Sequence, residues 1–338
     1  MRVAVIGAGS WGTAISWLLS GKGIDVSLWA REVEIAEGVN AEHRNPLYLK
    51  DVVLTDRVCA SHDIEEVLVG AEAVVVVTPS HGVRGTAELM RPFLGADTPI
   101  INLAKGVEGG TLIRMTQVIE DVVGGRERLA ALSGPNHAEE VSKGVPSATV
   151  VAAYADPIGR LFQDLFMAPS FRVYTNCDVI GVELGGASKN VIAVAAGMSD
   201  GLGYGDNTKA TLMTRGLAEM SRLGTHLGAN PLTYMGLSGM GDLIATCTSQ
   251  HSRNRALGQW VAEGGSVDSY GEKTHMVAEG ALSAISVHAL AHSVGIELPI
   301  THQIHDVLYN GASPASAGDL LMGRSARDEL HGMDLVED

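Results

Sequence analysis

Six residues near the start of the chain, Gly7-Ala8-Gly9-Ser10-Trp11-Gly12, restrict what it can fold into more than any other stretch. They match G-x-G-x-x-G and lie between the β-branched run Val3-Ala4-Val5-Ile6 and a segment of helical composition at 13–20, closed by Gly21 and Gly23. A strand feeding a glycine turn and then a helix is the context that gives this pattern meaning. The first glycine permits the tight turn, the second lets a pyrophosphate approach the backbone, and the third lets helix and strand pack closely. The helix start adds free N–H groups and partial positive charge. The competing reading is an ordinary glycine turn, and the flanking strand and helix weigh against it.

The first half repeats that alternation. Segments 26–29, 73–78, 99–103, 129–132 and 148–152 read as strands, the second of them carrying four consecutive valines. Continuous rather than alternating apolar runs suit a parallel sheet covered on both faces. Strands interleaved with helical segments predict an α/β, doubly wound Rossmann-type domain. Beyond residue 180 strand-like runs nearly vanish, and segments such as 209–227 and 276–294 predict an all-helical second part. The expected division is a dinucleotide-binding domain at 1–178 and a helical substrate and catalytic domain at 179–338, with a frayed acidic end at 332–338.

Composition narrows the partners. A net charge of −15 argues against a general nucleic-acid binder. A small phosphorylated substrate remains compatible, because it needs only a local positive site and exposed charges are screened beyond about 10 Å. Cys59, Cys177 and Cys247 show no CxxC spacing, so neither a disulfide framework nor a metal site is expected. The start lacks the longer apolar region of a signal peptide. No uninterrupted apolar stretch reaches the roughly 18 residues of a membrane span. These features predict a cytoplasmic protein without membrane insertion, and a homodimer as the commonest closed assembly.

The second strand should end near Trp29-Ala30-Arg31. An NAD enzyme usually places an acid there for the ribose 2′-hydroxyl. An arginine suits a 2′-phosphate instead, so Arg31 favours NADP with NAD as the alternative, although Glu32 follows at once. The bland reading of Arg31 is a solvated surface charge. Three further turns, Thr78-Pro79-Ser80, Asn102 to Gly106 and Ser133-Gly134-Pro135-Asn136, each follow a strand and should converge on one cleft, with Lys105 pointing into it.

In the second half, Lys189 and Asn190 interrupt a long apolar helical segment beside Gly185, Gly186 and Ala187. Such a lysine is either a snorkelling surface residue or a partly desolvated amine that can act as a base near neutral pH. Asp242 would open a helix with Thr246 on the same face four residues on, or simply cap it. Ser252-Arg253-Asn254 at another helix start offers N–H groups, a helix dipole and a guanidinium to a phosphate, or an N-cap and nothing more. The glycines of 201–205 suggest either a lid or an ordinary loop.

Together these blocks resemble the bacterial-type NAD(P)-dependent glycerol-3-phosphate dehydrogenases over nearly the whole length. The resemblance rests on 7–14, Leu103-Ala104-Lys105-Gly106, Leu132-Ser133-Gly134-Pro135, Lys189-Asn190-Val191-Ile192-Ala193, Gly205-Asp206-Asn207-Thr208-Lys209-Ala210, 236–243 and Ser252-Arg253-Asn254. It implies interconversion of sn-glycerol 3-phosphate and dihydroxyacetone phosphate, supplying phospholipid synthesis. It also implies Lys189 as the proton acceptor, with Lys105 and Asp242 at the reacting carbon. Gly134, Ser252, Arg253 and Asn254 would bind substrate. Gly7, Gly9, Ser10, Trp11, Gly12, Arg31, Lys105, Ala138, Arg253, Val277 and Glu279 would contact the dinucleotide. The sequence departs at Gly185 and Ser188, where the family more often has Ala and Leu, and at Asn136-His137, where Ser-Phe is common. The alternatives are a 6-phosphogluconate-dehydrogenase-like hydroxyacid dehydrogenase or a non-catalytic dinucleotide redox sensor. The sensor would have no need of Lys105, Lys189 and Asp242 together.

Overall fold

The structure, a computed structural model, describes residues 1–274, 278–326, 328 and 329. The acidic end at 332–338 and Val277 lie outside the described residues. The chain divides into two compact units, Met1–Lys105 with Ile113–Val179, and Gly106–Leu112 with Ile180–Asp338.

The first unit runs β1 (Arg2–Ile6), α1 (Ser10–Gly21), β2 (Asp25–Trp29), α2 (Val33–Glu42), β3 (Val58–Ser61), α3 (Ile64–Leu68), β4 (Ala73–Val76), α4 (Val83–Met90), β5 (Ile100–Asn102), α5 (Met115–Val123), β6 (Leu129–Ser133), α6 (Ala138–Val141), β7 (Ser147–Ala153), α7 (Asp156–Phe166) and β8 (Phe171–Asn176). The strands form one sheet ordered β3-β2-β1-β4-β5-β6-β7-β8. Alternate residues of β1 feed opposite faces. Val3 and Val5 pack with Ile15, Leu19 and Phe162, whereas Ala4 and Ile6 pack with Val74, Met90 and Ile119. Both faces are therefore dry, which is why the strands read as unbroken apolar runs. Each such Val or Ile stabilises by about 1.5–3 kcal/mol. The order reverses between β1 and β4, so the connections leaving those strands diverge and open a crevice at their carboxyl ends.

The sheet differs from the expected all-parallel arrangement at one point: β7 pairs antiparallel to β6. Between them lies only a one-turn helix, α6, flanked by Gly134, Pro135, Gly144 and Pro146. A parallel return needs a longer crossover helix. Two strands were not foreseen. β3 is four residues long. β8 pairs with β7 alone at the edge of the sheet and alternates buried with exposed side chains, the pattern of a half-covered strand.

The second unit is helical among its described residues: α8 (Val179–Gly201), α9 (Asp206–His226), α10 (Asp242–Thr248), α11 (Arg253–Ala262), α12 (Val267–Thr274), α13 (Glu279–Ser293), α14 (Pro299–Tyr309) and α15 (Pro314–Met322). By length and mean composition α8 could cross a membrane, although Glu183, Lys189 and Asn190 interrupt its apolar run, and 94% of its apolar window is buried within the protein. It is a core helix, and its glycines govern what packs on it. A Cβ on Gly197 would lie 1.9 Å from the Arg255 carbonyl oxygen, and one on Gly258 would lie 2.0 Å from that of Val194. Helices α8 and α11 thus meet backbone against backbone. A π-helical turn at Leu237–Gly241, closed by the Gly241 N–H donating to the Gly236 carbonyl at 3.1 Å, leads directly into α10. Such turns concentrate at functional sites.

Candidate active site

In the first unit the glycine motif is built as its chemistry requires. Gly7 has φ +122°, and a Cβ there would meet the Val77 and Thr78 backbone at 3.0 and 3.1 Å. A Cβ on Gly12 would fall 1.8 Å from the Gly7 carbonyl oxygen, so only glycine lets α1 start against its own turn. A Cβ added to Gly9 would meet nothing within 4 Å. This is the open approach a pyrophosphate needs in front of a helix start. The residues present therefore fit a dinucleotide.

The loop is braced by a residue the sequence reading did not single out. The fully buried Asn45 side chain donates to the Ala8 carbonyl at 2.8 Å and to Thr13 Oγ1 at 2.9 Å. Its Oδ1 accepts the N–H groups of Leu47 and Tyr48. The only local signal was the turn dipeptide Asn45-Pro46. Ser10 opens α1, and the Trp11 ring lies against Phe171 with centroids 6.5 Å apart.

Arg31 follows β2 and is 81% exposed, its guanidinium bridging to Glu32 Oε1 at 2.7 Å. No acidic side chain stands at the strand tip itself. The three strand-end turns are adjacent, on β4, β5 and β6. Asn102 Oδ1 accepts from Ala104 N at 3.2 Å while its Nδ2 donates to the Ala104 carbonyl at 2.9 Å, shaping the turn that carries Lys105. Lys105 Nζ then donates to the Gly134 carbonyl at 3.0 Å. Thr78 Oγ1 and Asn136 Oδ1 are buried with no hydrogen-bond partner among the described residues, as expected of groups that await a ligand. Ala138, buried, opens the one-turn helix α6.

In the second unit the helix–π-turn–helix path brings Lys189 and Asp242 together. Lys189 Nζ lies 2.9 Å from Asp242 Oδ1, with the side chains 7% and 3% exposed. Lys189 Nζ also donates to Thr246 Oγ1 at 2.6 Å. Thr246 Oγ1 in turn lies 2.7 Å from the Asp242 carbonyl oxygen and 3.2 Å from Asp242 Oδ1. The snorkelling reading of Lys189 is excluded, since its ammonium end is inside. Cys247, next along, is not a rival nucleophile, because burial pushes its thiol up to about 12 and keeps it protonated.

Next to Lys189 on α8, Asn190 Oδ1 accepts from Asn254 Nδ2 at 2.9 Å, and Asn254 Oδ1 accepts from Gly280 N at 2.9 Å. Ser252 caps α11, its hydroxyl accepting from Arg255 N at 3.2 Å. The N-cap reading is thus realised for Ser252, and Asn254 is committed to bracing α11 against α8 and the start of α13. Arg253 is exposed on that first turn. Glu279 opens α13. A further clamp was not foreseen. Asp200 at the end of α8 accepts from Arg255 Nε and lies 2.6 Å from both Arg255 Nε and Lys209 Nζ, which explains structurally why a lysine sits in the Gly205–Ala210 block. Gly185, one of the departures noted in the sequence, faces Ser238, whose carbonyl oxygen would be 2.7 Å from an added Cβ.

Residues 2–157 match the family model for the N-terminus of NAD-dependent glycerol-3-phosphate dehydrogenase, and residues 178–319 match that for its C-terminus. The chain is 48% identical to glycerol-3-phosphate dehydrogenase [NAD(P)+] of Pelotomaculum thermopropionicum, covering 99% of this chain and 97% of that one. It is 49% identical to the protein of the same name from Nocardia farcinica, with 97% and 99% covered. The crystal structure of glycerol-3-phosphate dehydrogenase from Coxiella burnetii superposes with a TM-score of 0.92 at 36% identity, over 96% of this chain and 99% of that one.

Proposed function

The chain belongs to the NAD-dependent glycerol-3-phosphate dehydrogenase family and is an NAD(P)-dependent oxidoreductase that interconverts sn-glycerol 3-phosphate and dihydroxyacetone phosphate, and we propose that Lys189 is the group that moves the proton. The observation that carries this is the buried Lys189–Asp242–Thr246 cluster. The nicotinamide supplies or accepts the hydride when bound. In reduction, the Lys189 ammonium donates a proton to the carbonyl oxygen of the substrate as that oxygen gains charge. In oxidation the neutral amine takes the proton from the C2 hydroxyl. Asp242 and Thr246 fix the amine in place, so little orientation remains to be lost in the transition state.

The substrate phosphate is assigned to the first turn of α11. Its free N–H groups, the helix dipole and the Arg253 guanidinium supply the charge, while Ser252 and Asn254 hold that turn in shape. On the first unit, Lys105 and Gly134 are proposed as further substrate contacts. The dinucleotide is assigned to Gly7, Gly9, Ser10, Trp11, Gly12, Arg31, Lys105 and Ala138, with Arg253 and Glu279 on the second unit. We further propose a nucleotide domain at 1–178 and a catalytic domain at 179–338, a cytoplasmic location, a homodimer, and a role in supplying glycerol 3-phosphate for phospholipids.

Two experiments test these assignments. Arg253→Ala should raise KM for dihydroxyacetone phosphate about 10- to 100-fold, the value of a charge-assisted hydrogen bond. Turnover of dihydroxyacetone, which lacks the phosphate, should change little. Equal losses on both substrates would remove Arg253 from the phosphate site. For the cofactor, Arg31→Asp should lower the preference for NADPH over NADH by about tenfold or more, since a guanidinium facing a 2′-phosphate becomes a repelling carboxylate. An unchanged ratio of kcat/KM values would show that Arg31 is not the selector.

A further inference from the structure

A cavity of about 900 Å³ lies within the second unit. None of Lys189, Asp242, Thr246, Ser252, Arg253 or Asn254 lines it, so it is not part of the reaction site. Its walls are largely apolar, with Met198 from α8, Leu212 from α9, Ile300 and Ile304 from α14, and Leu321 from α15. That size and character match small-molecule pockets, which carry a few polar groups on an apolar wall.

The polar groups here have a common need. Ser199, 3% exposed, and Gln303 both line the cavity, and Ser199 Oγ and Gln303 Oε1 are buried with no hydrogen-bond partner among the described residues. Glu219 lines it too and is buried. Its carboxyl accepts from Ile300 N at 2.6 Å, Thr301 N at 3.2 Å and Thr301 Oγ1 at 3.1 Å. Even so, burial pushes it up to about 7. A buried acceptor left unpaired is costly, and each of these three sites can take a hydrogen from a donor.

Charge around the cavity points the same way. The lining carries the carboxyls of Glu219, Glu297, Asp319, Asp328 and Glu329 against the guanidiniums of Arg215, Arg222 and Arg324. Among the described residues, five carboxyls thus stand against three guanidiniums, each of which already donates to a wall of the cavity. Arg215 donates to the Glu329 carbonyl at 2.8 Å, Arg222 to the Glu297 carbonyl at 3.0 Å, and Arg324 to Glu297 Oε1 at 2.9 Å. An anionic head would meet a surplus of negative charge. An ammonium brings positive charge and three donors.

We propose that this cavity is a second small-molecule site, separate from the reaction site, whose ligand is an amphipathic amine with its apolar body on the α9, α14 and α15 walls and its ammonium donating to Glu219, Gln303 and Ser199. It stands independently of the reaction assigned above.

Isothermal titration of the intact enzyme with n-octylamine, octanoate and 1-octanol tests the assignment. Octylamine should give a saturable one-site heat, with the other two at least about tenfold weaker, the value of one charge-assisted hydrogen bond. Glu219→Gln should weaken the amine by a similar factor. Gln303→Leu, which leaves the capping of α14 intact, should weaken it severalfold, and neither change should alter kcat. Octanoate binding as tightly as the amine would overturn the proposal. So would amine binding unchanged in Gln303→Leu and Glu219→Gln, or no saturable heat from any probe, which would leave water as the occupant.

Discussion

Replacing Lys189 by alanine should lower kcat for dihydroxyacetone phosphate by about 10²- to 10⁴-fold, the range that proton transfer by a positioned side chain contributes, while NADPH still binds. The expectation follows from where the amine sits. It is buried beside Asp242 at 2.9 Å and Thr246 at 2.6 Å. Alanine also strands the Asp242 carboxylate without its cation, and breaking a buried pair costs about 3–5 kcal/mol. Loss of activity could then reflect loss of fold. Lys189→Arg separates the two effects. A guanidinium keeps the charge beside Asp242 but does not give up its proton in proteins. The arginine variant should therefore melt near the wild type and still lose turnover to a similar degree. Turnover near wild type in either variant would show that another group carries the proton.

The second large effect is structural. Gly258→Ala should destabilise the second unit by about 3 kcal/mol, the upper end of overpacking costs, and lower Tm by roughly 6–12 °C. The added Cβ would fall 2.0 Å from the Val194 carbonyl oxygen and 2.8 Å from Met198 N. Both are backbone atoms of α8, so no side-chain rotation relieves the overlap and α11 must move away. Because Ser252, Arg253 and Asn254 ride on the first turn of α11, KM for dihydroxyacetone phosphate should rise as well. Circular dichroism melting and steady-state kinetics on the same preparation would read both. An alanine variant with unchanged Tm would mean that the helices are not in backbone contact at this crossing.

These contacts also explain what the sequence could and could not convey. The glycine motif was legible because three glycines at fixed spacing between a strand and a helix have few other uses, and a side chain at Gly7 or Gly12 would collide with backbone while Gly9 leaves open space. The central strands were legible because burial on both faces removes polar residues from the run. β8 was not, because an edge strand keeps polar side chains such as Arg172 on its open face. The reversal at β7 was hidden because direction depends on how much chain the return has available, and a composition-based reading does not measure that. Lys189 and Asp242 stood out individually as polar residues in apolar or glycine-rich surroundings. Their pairing depends on the π-helical turn before α10, which local propensity does not announce. Asn45, Asp200 and Glu219 were invisible for a related reason. Each is an ordinary polar residue in sequence, and each has a partner 32 to 82 positions away.

The most direct test of the account is the loss of reduced-nicotinamide absorbance on adding dihydroxyacetone phosphate to the wild-type enzyme, with NADPH and NADH run in parallel. The account predicts rapid oxidation of NADPH and slower oxidation of NADH. Tight binding of both cofactors with oxidation of neither would contradict it.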